Sequence, residues 1–103
     1  LLFADKGDGN GTILDCDMPI IYLDNNQTVV ARGNARIVNR EMLLQADSLS
    51  WDRTTDHVEA KGKVVLNYKD FRLLADWLEV DLRSGEYWAT DARAGSSQFV
   101  MDA

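Results

Sequence analysis

One cysteine, one proline and one histidine are all the chain contains, and each scarcity removes a class of function. A lone Cys16 excludes a disulfide within the chain. It aligns with alanines elsewhere in the sequence, so it reads as a small buried hydrophobe. One histidine without a cysteine pair excludes the usual zinc sites. That histidine, His57, stands beside a turn between Asp56 and Glu59 and reads as a solvated polar residue. No apolar run approaches the roughly 20 residues that cross a bilayer as a helix. Basic residues are a minority, 11 against 17 acidic ones, for a net charge of −6. They are scattered and not gathered on one face, which argues against nucleic acid as a partner. No glycine-rich phosphate loop, nucleophile elbow or metal signature occurs, so neither a cofactor nor enzymatic activity is expected.

What remains is ample for folding. Apolar residues make up 46% of the 103 positions and charged residues 27%, the balance of a packed protein. The length suits one domain or a few stacked repeats, not two independent cores.

Repetition is the strongest signal. Shifted by 29 positions, the stretch from Val58 to Glu86 lies on the stretch from Val29 to Thr55. Val58 falls on Val29, Ala60 on Ala31, Gly62 on Gly33, Leu66 on Ile37, Leu73 on Leu44, and Ala75-Asp76 on Ala46-Asp47. Self-similarity at a fixed period marks a repeat architecture. Within each copy the first half alternates with period two. Val29, Ala31, Gly33, Ala35 and Ile37 are set against Arg32, Asn34 and Arg36. Val58, Ala60, Gly62, Val64, Leu66 and Tyr68 are set against Glu59, Lys61, Lys63 and Asn67. A helix would scramble this pattern, so it predicts half-buried strands.

In the second half of each copy the apolar parity slips once. Leu44 and Ala46 give way to Leu49 and Trp51, and Leu73 and Ala75 give way to Leu78, Val80 and Leu82. A slip at the same point twice predicts a bulge or a bend between two sheets, with Ala-Asp at the corner. Turns are expected at residues 24–27, 39–41, 52–56, 69–70 and 82–86 from their Asp, Asn and Gly content. The strand continuing from Met18 to Tyr22 carries Pro19, which has no ladder donor, so it should lie at an edge or hold a bulge.

The ends are less regular. LLFAD at residues 1–5 reads either as the end of a cleaved signal peptide or as an echo of LLQAD at 43–47, and the echo is preferred. KGDGNG at 6–11 reads as a loop. Tyr87 opens a third copy in which Asp91 stands at the glycine position and Gly95-Ser96-Ser97 interrupts the strand. QFVMDA at 98–103 resembles the approach to another alanine corner, so residues 1–103 are expected to be a single domain, either a fragment of or a domain from a longer chain.

Candidate chemistry is sparse. Asp47, Asp76, Asp52 and Asp81 recur by position, and carboxylates accepting backbone N–H bonds at corners and turns explain that better than paired catalytic acids do. Trp51 occupies a slot that is Val80 and Tyr22 in other copies, which reads as core. Trp77 and Trp88 fall on polar slots and are expected at the surface or over an edge. The inner positions include many small residues. They either leave a slot for apolar chains or let two sheets pack closely, and both possibilities stand.

The two segments ARGNARI…LLQADSLSWD and AKGKVVL…RLLADWLEVD resemble the OstA-like family of periplasmic lipopolysaccharide-transport proteins, the LptA and LptD type. The likeness covers about residues 17–94. It implies an all-β fold, an open twisted antiparallel β-jellyroll of two sheets. It implies a hydrophobic groove shielding the acyl chains of lipid A, the anchor of lipopolysaccharide. By position, the groove would be lined by Val29, Ala31, Ala35, Ile37, Leu44, Val58, Ala60, Val64, Leu66 and Leu73. The partners implied are lipopolysaccharide and, through edge strands, other bridge proteins of that pathway or further copies of this chain. The place implied is the periplasm, in some members tethered to the outer membrane. The alternative from the residues alone is a self-assembling β-repeat scaffold of the envelope, with a dry core and no lipid.

Overall fold

In the computed structural model the backbone is described for residues 3–5, 11–90 and 93–94, and side chains for 11–90. The expected loop at 6–10, the glycine slot at Asp91 and the segment 95–103 lie outside the described residues.

The protein is all-β. Its strands are β1 (Phe3–Asp5), β2 (Thr12–Cys16), β3 (Ile21–Leu23), β4 (Thr28–Asn39), β5 (Met42–Asp52), β6 (His57–Tyr68), β7 (Phe71–Asp81), β8 (Tyr87–Thr90) and β9 (Arg93–Ala94). All belong to one antiparallel sheet in the order β1-β2-β4-β5-β6-β7-β8, with β3 also on β4 and β9 also on β7. β6 and β7 begin 29 residues after β4 and β5, as the period requires. At the N-terminus Phe3–Asp5 is a strand paired with β2.

Expectation and structure part in four places. First, the hydrogen-bonded ladder runs on across each corner, giving one sheet where two were expected. Second, the segment with Pro19 is broken and not bulged, though its second half, β3, does lie at an edge. β2 pairs with residues 36–39 of β4 and β3 with 28–30, leaving residues 17–20 as a bend between them. Across this break Asp17 N–H donates to Gly33 O (2.8 Å) and Met18 N–H to Arg32 O (3.2 Å), so Pro19 occupies the gap where no donor is needed. Third, Gly33 and Gly62 leave the inward line. Both have left-handed backbones, φ +82° and +81°, and each is followed by a second such residue, Asn34 or Lys63. Fourth, Tyr68, expected inward, sits at a strand end and is exposed.

The corner is built from those left-handed pairs. Between Arg32 and Ala35, Gly33-Asn34 oppose the single residue Asp47, and between Lys61 and Val64, Gly62-Lys63 oppose Asp76. Two residues against one is a β-bulge, which bends the strand and increases its twist. A Cβ on Gly62 would stand 2.5 Å from Asp47 Oδ2, so close approach as well as φ demands glycine there.

The bend is large. Phe71 opens β7, and Tyr87 pairs with Val80 near the far end of the same strand. In a straight strand Phe71 and Val80 would be about 30 Å apart, yet the rings of Phe71 and Tyr87 have centroids 6.2 Å apart. β7 therefore doubles over, and the two halves of its inner face converge.

The inner face is the core. Leu14, Cys16, Val29, Ala31, Ile37, Leu44, Leu49, Trp51, Val58, Leu73 and Leu78 are all but fully buried, each large aliphatic one worth about 1.5–3 kcal/mol. Burial alternates through each strand and slips at Ala46–Leu49 and Ala75–Leu78, where the sequence slipped. No helix occurs among the described residues, so none is long and apolar enough to cross a membrane.

Candidate functional site: inner face and end pocket

All ten positions proposed to line a groove lie on this inner face and in one cluster. Val29, Ala31, Ala35, Ile37, Leu44, Val58, Ala60, Val64, Leu66 and Leu73 are each no more than 3% exposed. The alternation dictates this, because every second residue of a strand shares a face. Among the described residues the only buried polar side chain is Thr12, whose Oγ1 accepts a bond from Asn39 Nδ2 (2.6 Å). An inner surface this apolar can hold hydrocarbon or pack against itself.

Open space lies at one end of it. A cavity of about 650 Å³ sits where the β4–β5 and β6–β7 turns meet the β7–β8 turn. Its apolar lining is Met42, Leu66, Tyr68, Phe71, Val80, Leu82 and Tyr87, and its polar lining includes Arg40, Glu41, Asp81 and Arg83. Only Leu66 belongs to the ten positions read from the sequence. The others were missed because they flank turns. The available signal was the apolar residue that opens the strand after each two-residue turn, Met42 in one copy and Phe71 in the next. That the two ends of the sheet meet there depends on the angle of the corner, which no local pattern encodes. Burial raises the Tyr87 phenol above its ordinary value.

The turns behave as the recurring aspartates suggest. Asp52 Oδ1 accepts from Thr54 Oγ1 (2.6 Å), Thr54 N (2.9 Å) and Thr55 N (3.4 Å). Asp81 Oδ1 accepts from Arg83 N (2.8 Å) and Ser84 N (3.2 Å). The Thr54 hydroxyl foremost lowers the Asp52 carboxyl, and the Arg83 amide foremost lowers that of Asp81. These carboxylates are committed to their own loops. The turns are also tied to one another, Arg53 N–H to Gln27 O (2.7 Å) and Leu82 N–H to Asp56 O (2.9 Å).

The outer face carries the remaining polar chemistry. His57 is half-buried, with a ring nitrogen 2.7 Å from Glu79 Oε2, so it is paired where a solvated residue was expected. Its strand partner across the sheet is Asp81, and the exposed Trp88 lies beside its ring. Trp77 is half-buried and donates its indole N–H to Glu59 Oε2 (2.8 Å). Trp51 is core, as expected, while Tyr22 in the equivalent slot is exposed on the edge strand and stacks with Arg53. Cys16 is buried, its thiol 3.0 Å from Met18 O. Among the described residues no three metal-ligating side chains converge.

No protein-family model matches this chain, and no curated protein gives a significant match to it.

Proposed function

We propose that this protein is a lipid-shielding module of periplasmic lipopolysaccharide transport. In this reading the doubled sheet is an open, twisted β-jellyroll whose facing halves, built from units of about 29 residues, shelter lipid A acyl chains while the sugars stay in water. The observation that carries it is the inner face: ten predicted positions from four strands converge there, and Thr12 is the only buried polar side chain among the described residues. Transfer from water into such a lining stabilises apolar chains by about 25 cal/mol per Å² of surface removed from water. The sequence pattern around the two corners, shared with the OstA-like family, supports the same reading. Modules of this kind join through edge strands to other bridge proteins or to further copies. The edge strand β3, paired with β4 alone, exposes Tyr22 and Leu23, apolar surface suited to such a contact.

A photo-crosslinking amino acid at Ile37, and another at Leu66, tests this in the cells that make the protein. Adducts with lipopolysaccharide are expected at both positions, with folding checked by circular dichroism. A folded protein yielding adducts at neither would sink the transport reading.

One observation favours a second reading. The ten inward residues are sealed in one cluster, each no more than 3% exposed, and of them only Leu66 lines the end pocket. That is what a self-assembling envelope scaffold with a dry core requires. It predicts the same association in solution but no lipid adducts at any inner position.

A further inference from the structure

We propose that the cavity at the end of the doubled sheet is itself a binding site, and that it takes the tail of a single-chain anionic amphiphile with the head at Arg40. The inference deepens the lipid reading above and rests on it only for the class of ligand.

Three observations point there. The cavity's volume of about 650 Å³ falls within the range of small-molecule sites, about 300–1,000 Å³. Its walls are divided by chemistry: Met42, Leu66, Phe71, Val80, Leu82 and Tyr87 supply the apolar lining, and charged groups stand only at the turns around it. The Phe71–Tyr87 pair bridges the two halves of the sheet, so a tail entering the cavity lies against two aromatic rings and stops at the packed interior behind them.

The charges at the rim then decide the head group. Both carboxylates there are already engaged. Asp81 accepts from the amides of its own turn, and Glu41 faces Lys69 at 3.5 Å. Arg83 is committed too, with Nη2 on Thr54 O (2.8 Å) and Nε on Asp56 Oδ2 (3.3 Å). Arg40 is exposed and forms no ion pair among the described residues. Its φ of +56° places it at the tip of the β4–β5 turn. Among the charged residues of the lining, Arg40 is therefore the one whose donors are unused, and a guanidinium fork fits a carboxylate, sulfate or phosphate head and not a cationic one.

The test uses the purified chain and dansyl-labelled undecanoate, followed by the rise and blue shift of dansyl fluorescence. Saturable binding is expected, displaced by dodecyl sulfate and about threefold less well by dodecyltrimethylammonium, the discrimination an exposed charge can supply. Leu82→Glu places a carboxylate in the apolar lining and should weaken undecanoate binding about tenfold or more. Arg40→Gln lies on the surface, where folding is not at stake. It should erase the preference for the anionic competitor while leaving dodecanol binding unchanged. Absence of saturable binding overturns the proposal. So does binding that neither substitution alters, or a preference for anions that survives Arg40→Gln. The outcome separates cleanly from the transport reading. Undecanoate binding without lipopolysaccharide adducts at Ile37 leaves the pocket and removes transport. Adducts at Ile37 without undecanoate binding do the reverse.

Discussion

The hairpins β4–β5 and β6–β7 turn the same corner against different neighbours. In the first, Gly33 faces the break between β2 and β3, where Met18 Cγ and Asp17 Cβ would lie 3.1 and 3.3 Å from an added Cβ. In the second, Gly62 faces the middle of the continuous strand β5, where Asp47 Oδ2 and Cβ would lie 2.5 and 3.0 Å away. The backbone strain is the same in both, φ near +80°, but the room is not. A broken neighbour gives slack, and a continuous one withholds it. The two copies also differ inside, because the slot that holds Trp51 in the first hairpin holds Val80 in the second, both buried.

The largest test of this contrast is at that slot. Trp51→Ala should lower stability by about 3–5 kcal/mol and Val80→Ala by about 1–2 kcal/mol, since the cost follows the volume removed from a site that cannot collapse. Urea unfolding measures both. Equal losses would mean that the first hairpin carries no extra share of the core.

At the corner itself the order reverses. Gly62→Ala should cost about 2–4 kcal/mol, combining left-handed strain with overlap on Asp47. Gly33→Ala should cost about 1–2 kcal/mol, because the Met18 side chain can swing aside. If Gly33→Ala proves the more damaging, the break beside it provides no slack.

The smallest effect is in the turns and depends on pH. Both aspartates are held below their ordinary carboxyl range, Asp52 chiefly by the Thr54 hydroxyl and Asp81 chiefly by the Arg83 amide. A carboxylate lowered on folding contributes stability above its unfolded value, near 3.8, and loses it as pH falls through the folded value. Tm should therefore hold level above about pH 4 and decline below it. Asp52→Asn should flatten that decline more than Asp81→Asn, because Asp52 accepts three bonds, one from a hydroxyl, and Asp81 two. Identical acid profiles for the two variants would remove the distinction between these turns.

Much of this was legible in the sequence because strands write their faces into alternate residues. The inward set from Val29 to Leu73, the slips at Ala46 and Ala75, the aspartate turns and the core position of Trp51 all follow from local chemistry. What was not legible depends on groups distant along the chain. Gly62 looked like one more inward position, since glycine interrupts no apolar line. Its left-handed backbone and the carboxylate of Asp47, on the adjacent strand, show why it is glycine. His57 looked solvated because Glu79 is 22 residues away. Neither the continuity of the sheet nor the pocket between Phe71 and Tyr87 could be read, because both hang on how far the bulges bend the strands.

The strand order has a kinetic consequence as well. From β4 to β8 each strand pairs with the next in sequence, and β2 with β4 is the one pairing in the main order that skips a strand. Sheets usually form slowly because distant segments must meet before any contact rewards the closure of a loop. Here turns of two to five residues bring most partners together at once, so assembly can advance hairpin by hairpin from whichever forms first. The closing event is then the docking of β2 across the β3 excursion onto β4, and that step sets the pace at which the chain reaches its native state.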